Sequence, residues 1–593
     1  MSQDRRTVLP LVVATHWYYS RAPGIASPVA AVFVPADPSC SVITVDSSSE
    51  KAALLREIAS SYNAGRRTVD GGCAQVTVES GASGDVEAAL ARGWNVSSDG
   101  PLPDVWTPAA SAWLVLLREQ LQGRDKAAPV PTSTPSIAQT PLVIAMPRVM
   151  AQALGWPTKQ LGWSDLFALA RDPRGWGSVG HPEWGRFTLG KTNPHVSTSG
   201  LNATIATFFA ATGVSSDLTV ADVRQRSTQD FVRQIESSVV HYGDTTLTFL
   251  SNLAKADRAG RGLSYVSAVT VEEKSVWDYN QGNPSGDPGT LGKQPPPRVP
   301  LVALYPKDGT LVSDSPYAVL QEPWVDQTKR DVAADFLAFV RSPSEQQVLQ
   351  AAGFRSYDGT PGAAINEANG LSAAGPPLVL APPSPSVLQA VSDSWDLLRR
   401  RARVLLVMDV SGSMSDNVGD SGTSKIELAR QAALQAITGL APDDEVGLWE
   451  FSSNIEGRVY KPLVAVGPDS VTAPRMRAAI RAMTTWNGTA LYATLREAQK
   501  QMTASYDPTR INAVVVLTDG KNEYNADNDL SGLVAGLSSA GADKPVRIFT
   551  IGYGSDADAA ALTQIADATH AAYYSAADPT GIHKVLVSVL SNF

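Results

Sequence analysis

The chain has 593 residues, with 49 basic against 58 acidic side chains and a net charge of −9. A single core stops growing well below this length, so more than one domain is required. The acidic balance excludes a generic nucleic-acid binder, which needs a basic face, and a hydrophobic fraction of 43% excludes a largely disordered chain.

At the N-terminus Arg5 and Arg6 precede a short apolar run, residues 8–14, and then Trp17, Tyr18 and Tyr19. A basic end before a minimal hydrophobic stretch reads as an export signal or the remnant of an anchor, so residues 1–39 are assigned as a leader. No run of about 18 apolar residues occurs, so any membrane attachment would be through this segment. The expected location is extracellular or at the cell surface. The two cysteines, Cys40 and Cys73, cannot supply the four ligands of a structural zinc site. Each precedes an expected strand, and neighbouring strands bring such positions together. In an oxidising compartment they should form a disulfide, with a Cα–Cα distance of about 4.4–6.8 Å. Two buried thiols are the alternative in a reducing one.

Residues 42–45 read as a strand. Ser47 and Glu50 have capping-box spacing at the start of a helix whose apolar face is Ala53, Leu54, Ile58 and Tyr62. Val76 and Val78 mark a second strand and Asp104, Val105 and Trp106 a third, each followed by a helical pattern. This alternation implies βα units around a mostly parallel sheet. Two isolated buried-strand patterns, residues 141–147 and 299–305, flank a further α/β stretch, and helices over 328–340 and 344–352 follow. Such an order describes a chain that leaves one lobe, builds a second and returns. The expected domain is 40–355, with lobe 1 at about 40–140 and 306–355 and lobe 2 at about 141–305. Residues 356–400, rich in Gly, Ala, Ser and Pro, read as a semi-extended linker. A new α/β alternation fills 401–593, with strands near 404–407, 446–451, 513–517 and 546–551 and helices over 425–440 and 490–502.

The two-lobed segment resembles the type II solute-binding proteins of bacterial transporters. The resemblance is carried by residues 103–108, 141–147, Gln346, Gln347, Gly353 and Phe354. It implies a periplasmic-binding-protein-like fold with a ligand cleft lined by strand ends and helix N-termini. Candidates in this sequence are Ser47, Ser48, Ser49, Gly81, Ser83 and Thr107, with Ser197, Thr198, Ser199, Thr245 and Thr246 from the second lobe. Hydroxyls beside free helix amides suit a small polar solute or an oxyanion, although each is also an ordinary cap or turn residue.

Asp409, Ser411 and Ser413 leave the end of a buried strand at alternate positions. Thr489, at the start of a helix, and Asp519, at the end of another apolar strand, complete a set of two carboxylates and three hydroxyls. Hard oxygen donors suit Mg²⁺, Mn²⁺ or Ca²⁺ and not zinc or copper. Bringing the two carboxylates together costs stability unless a cation removes their repulsion. These residues resemble the von Willebrand factor A domain and its metal-ion-dependent adhesion site. That resemblance implies a doubly wound, Rossmann-like domain over 401–593. It also implies a bound divalent cation, Mg²⁺ first, with a position open to a carboxylate of a partner protein.

Residues 185–192 match the phosphate-loop pattern, but Phe187, Thr188 and Leu189 are strand-like and Pro194 falls where a helix should begin. A nucleotide hydrolase is therefore the remote alternative. His241 beside Tyr242 and Asp244 reads as a packed histidine rather than a catalytic one. The chain is read as a non-enzymatic, cell-surface or secreted binding protein of bacterial type. Substrate capture for a transporter is the alternative.

Overall fold

The computed structural model describes residues 40–124, 126–419, 422–540, 544–590 and 592–593. The leader expected over 1–39 lies outside them. Two compact units form. The first holds the described residues up to Thr140 with Glu273–Pro296 and Val312–Ala373; the second holds Pro141–Glu272, Pro297–Leu311 and Ala374–Phe593.

In the first unit, strand Ser41–Ser48 is the centre of a five-stranded sheet. It runs parallel to Gly72–Gly81 on one side and Val105–Thr107 on the other. Alternate residues Ile43, Val45, Val76 and Val78 are buried under Leu54, Leu55, Ile58 and Tyr62 of helix Ser49–Ala64, with Val332, Phe336 and Val340 of helix Gln327–Val340. Tyr62 meets Phe336 edge to face at 5.3 Å. Helix Pro343–Ala351 has Ser342 as its cap and proline in its first turn.

One local expectation is corrected. The strand persists to Ser48, which pairs with Gly81, so the helix starts at Ser49. Ser48 takes the cap position and its hydroxyl bonds Glu50, while the Ser47 hydroxyl donates to the Ser48 carbonyl. Long-range strand pairing has overridden the local capping-box spacing.

In the second unit, Thr140–Pro147 and Leu301–Leu304 run side by side and antiparallel, with Ile144 opposite Leu304 and Met146 opposite Val302. Thr140–Pro147 also pairs with Ala268–Glu272. Leu189–Thr192 lies parallel to both Ala268–Glu272 and Val239–Gly243. The last sheet has the order Arg458–Pro468, Glu445–Ile455, Ala402–Asp409, Ile511–Thr518, Arg547–Tyr553, Tyr573–Ala576, parallel throughout except for its first pair.

The stretch read as semi-extended is partly helical. Helix Pro385–Leu398 has proline in its first turn and buries Val387, Leu388, Val391, Trp395 and Leu398 at helical spacing. Trp395 packs edge to face on Tyr242 at 5.2 Å. Just beyond it, Arg400 donates from its main chain to the Tyr242 hydroxyl at 3.1 Å, and Arg399 bonds Asp444 and the Phe593 carbonyl. Tyr242 in turn donates its amide to the Asn592 carbonyl at 2.9 Å. The proline-rich composition concealed an apolar face that burial turns into a helix.

Cys40 and Cys73 are joined, with a Cα–Cα distance of 4.7 Å. They directly precede the paired residues Ser41 and Ala74. The two cysteines are 33 positions apart in the sequence. Replacing both by serine should lower stability by roughly 3–4 kcal/mol in the chain-entropy account, read by denaturant unfolding of the oxidised wild type beside the double variant.

Candidate metal centre and solute-contacting clusters

Strand Ala402–Asp409 is almost wholly buried and ends on Asp409 at 0% exposure. Its parallel neighbour Ile511–Thr518 places Met408 beside Leu517, so Thr518 and Asp519 emerge next to Asp409. Thr518 Oγ1 donates to Asp409 Oδ2. The Ser411 amide donates to Asp409 Oδ1 at 2.7 Å. The tight turn Gly412–Ser415 folds Ser413 back, so that its hydroxyl lies 3.1 Å from that of Ser411 and donates to Asp519 Oδ1 at 2.7 Å. Thr489 comes from a third segment. Its main chain is tied to Glu523 by bonds of 3.3 and 2.8 Å, and its hydroxyl faces Gly520 closely enough that a Cβ there would stand 3.2 Å away. All five predicted side chains thus lie at the carboxyl end of one sheet, where open α/β folds present their ligands.

Burial, and then the charge of Asp519, pushes Asp409 up to about 7. One residue of this centre was missed from sequence. Lys425, first residue of helix Lys425–Ala436, donates from Nζ to Asp519 Oδ2 at 2.7 Å. A signal was available. A lysine at a helix N-terminus opposes the macrodipole, so it calls for a carboxylate nearby.

Magnesium can be tested against this geometry. Adjacent oxygens of an octahedral site with bonds of about 2.05 Å stand about 2.9 Å apart. The hydroxyl and carboxylate oxygens of Ser411, Ser413 and Asp519 are spaced at 3.1 and 2.7 Å. Among the described residues no group of three or more His, Cys, Asp or Glu gathers as a metal site. This centre has two carboxylates and completes its donors with hydroxyls. The set fits a hard divalent cation.

The other candidates fall into two clusters, one per unit. In the first, strand register sets Ser47 beside Thr107 and Ser48 beside Gly81. Ser83 begins the helix after Gly81, and its hydroxyl accepts from the Ala109 amide at 3.1 Å. Gly81 is required there, because a Cβ would stand 2.5 Å from Val86 and 3.0 Å from Asp46. Ser49 is only half-buried. The buried Thr107 Oγ1 has no partner among the described atoms. Sequence reading overlooked Lys51. Its Nζ reaches the Ser48 hydroxyl, the Thr107 carbonyl at 2.7 Å and the Pro108 carbonyl at 3.1 Å. Burial pushes this ammonium down to about 8, opposed by nearby Glu50, Asp46 and Asp314.

In the second unit, Ser199 Oγ is the hub. It lies 3.1 Å from Ser197 Oγ, 2.7 Å from Thr246 Oγ1 and 2.8 Å from Thr192 Oγ1. Thr246 in turn reaches Glu272 at 3.5 Å. A Cβ at Gly200 would stand 2.3 Å from the Thr192 carbonyl, so glycine permits this approach. Thr198 is buried in the first turn of its helix. Thr245 is a cap, accepting from the Thr248 amide at 3.2 Å. Thr192 belongs to the phosphate-loop-like segment. There Leu189–Thr192 is a strand and the next helix begins only at Thr198, so the strand, glycine loop and helix of a nucleotide site are not formed.

Residues 43–355 match the bacterial extracellular solute-binding protein family, and residues 404–586 match the von Willebrand factor type A domain. The first match spans more than half of the chain, which belongs to that solute-binding family. An uncharacterised protein of Mycobacterium tuberculosis is 25% identical over 538 residues, covering 88% of this chain and 72% of its own. Among solved structures, the sulfate-binding protein SubI of M. tuberculosis is 15% identical, with a TM-score of 0.33, over 54% of this chain and 87% of that one. A von Willebrand factor type A protein from Catenulispora acidiphila is 20% identical, with a TM-score of 0.27, over 32% and 42%. The extracellular family supports export. No helix among the described residues is long and apolar enough to cross a membrane.

His241 is packed, at 2% exposure, with Nδ1 3.1 Å from the Tyr242 carbonyl and its ring 5.1 Å from that of Phe249. Burial, and then the charge of Arg547, pushes it down to about 3. An unfolded imidazole titrates near 6.5, so between these values the unfolded chain binds the extra proton. This group therefore costs nothing above about pH 6.5 and removes stability as the pH falls toward 3. Between pH 7.5 and 4.5 the wild type should lose about 2–3 kcal/mol more than His241→Phe, measured by paired unfolding curves.

Proposed function

We propose that this chain is an exported, non-enzymatic binding protein that recognises a carboxylate on a partner protein through a divalent cation held by its C-terminal domain. Mg²⁺ is the first choice, with Mn²⁺ and Ca²⁺ as alternatives. The observation that carries this reading is the oxygen-only chain of Ser411, Ser413 and Asp519, linked at 3.1 and 2.7 Å beside buried Asp409. Asp409, Ser411 and Ser413 would hold the ion, with Thr489 and Asp519 contributing directly or through water. When bound, the cation supplies an open coordination position for the partner's acid group. Neutral hydroxyls fill much of the donor set, so the protein leaves the centre attractive to an anion. The Ser411 amide and the Thr518 hydroxyl fix the Asp409 carboxylate from behind, which holds its orientation without adding charge.

Calorimetric titration of the full chain should find one Mg²⁺ or Mn²⁺ bound, with the heat abolished in Asp409→Ala. A wild-type chain indifferent to millimolar divalent cations and to chelator would reduce the domain to a scaffold.

Membership of the solute-binding family supports a second role, capture of a small polar solute or oxyanion, with delivery to a transporter as its setting. Within the first unit the unpartnered Thr107 hydroxyl, and separately within the second the Ser199-centred cluster, are each polar groups suited to such a ligand. A thermal-shift survey with sulfate, phosphate and neutral sugars should yield at least one stabilising solute. Its shift should be lost or reduced in Thr107→Val or Ser199→Ala. A flat survey, or a shift untouched by both substitutions, would count against capture at these residues.

A further inference from the structure

Asp519 is a fully buried carboxylate with both oxygens engaged. Oδ1 accepts from Ser413 at 2.7 Å and Oδ2 from the Lys425 ammonium at 2.7 Å. Lys425 is held there from several sides. Its amide donates to the Asp416 carbonyl at 2.9 Å, and its carbonyl accepts from the Tyr553 hydroxyl at 3.1 Å. Only 8% of the residue is exposed, and the nearest other acid, Asp416, is 3.9 Å from Nζ. A lysine as first residue of a helix is unfavourable with respect to the helix dipole, so the contact with Asp519 must offset that cost.

We propose that Lys425 is the built-in counter-cation of the metal centre. It neutralises Asp519 in the metal-free domain, lowers the centre's affinity for divalent cations, and leaves a bound cation more attractive to an anionic partner. The inference rests on the metal-dependent reading above. Without an ion, and with both carboxylates ionised, two carboxylates and one ammonium leave a net charge of −1 in place of −2. The expected cost of bringing Asp409 and Asp519 together is thereby reduced by a group of the protein itself. With a divalent ion the sum becomes +1 in place of zero. A like charge close to a cation site weakens cation binding, and the residual positive charge favours a carboxylate in the open position.

The test is Mn²⁺ titration of the full chain, read by the electron paramagnetic resonance of free Mn²⁺, for the wild type, Lys425→Met, Lys425→Gln and Lys425→Arg. The methionine variant keeps the buried stem without charge, and the glutamine variant retains a donor for Asp519. Both should bind Mn²⁺ at least about tenfold tighter than the wild type, while the arginine variant stays close to it. The methionine variant should also melt lower than the wild type without metal and recover with Mg²⁺. Unchanged or weaker binding in both neutral variants overturns the proposal, as does an arginine variant that tightens as much as they do. A neutral variant that folds only with divalent cation present supports it; failure of both neutral variants to fold even with cation overturns it. If Mn²⁺ binds wild type and variants equally, the metal centre stands and only this role of Lys425 falls. If Mn²⁺ binds none of them, both fall together.

Discussion

Parallel strand pairing controls where this chain can bring polar groups together. A parallel ladder ends at the carboxyl edge of its sheet, and the next residues turn into helices whose first amides are free. Side chains just past the last ladder bond are therefore gathered from segments remote in sequence. The pairing of Ser41–Ser48 with both neighbours sets Ser47 beside Thr107 and Ser48 beside Gly81. The pairing of Ala402–Asp409 with Ile511–Thr518 brings Asp409 to Thr518 and Asp519 across more than a hundred residues. A slip of one residue along Ala402–Asp409 would put Met408 or Val410 where Asp409 stands, because side chains alternate between faces.

The same edges collect buried charge, and the chain answers with lysines. Lys51 enters from the first turn of its helix to reach Ser48 and the carbonyls of Thr107 and Pro108. Lys425 does the equivalent for Asp519. The two differ in what they satisfy. Lys51 spends its donors mainly on a hydroxyl and main-chain carbonyls, so it braces the ends of two strands. Lys425 faces a carboxylate that also belongs to the candidate cation shell, so it acts on the charge of that shell. A third buried cation, Arg399, ties Asp444 to the chain end, while Asp444 also accepts from the Ala402 and Ala441 amides at 2.9 and 2.8 Å. This bond holds the first residue of the central strand, on which the placement of Asp409 depends.

Much of this architecture was legible in the sequence because its causes are local. Period-two apolar runs marked the strands, apolar residues at helical spacing marked the helices between them, and the Asp-x-Ser-x-Ser loop from Asp409 to Ser413 combined a strand end with a tight turn. Cys40 stands just before strand Ser41–Ser48 and Cys73 near the start of strand Gly72–Gly81, and the pairing of these neighbours joined them. What only the tertiary structure decided was set by groups distant in the chain. The start of the first helix moved because Ser48 pairs with Gly81, and the proline-rich stretch became helix Pro385–Leu398 because Trp395 found Tyr242. Thr192, Lys51 and Lys425 joined their clusters only when remote strands were set beside them. Sequence periodicity determines which face of an element is apolar; which buried charge a lysine must neutralise depends on how far each carboxylate has been taken out of water, and packing alone sets that.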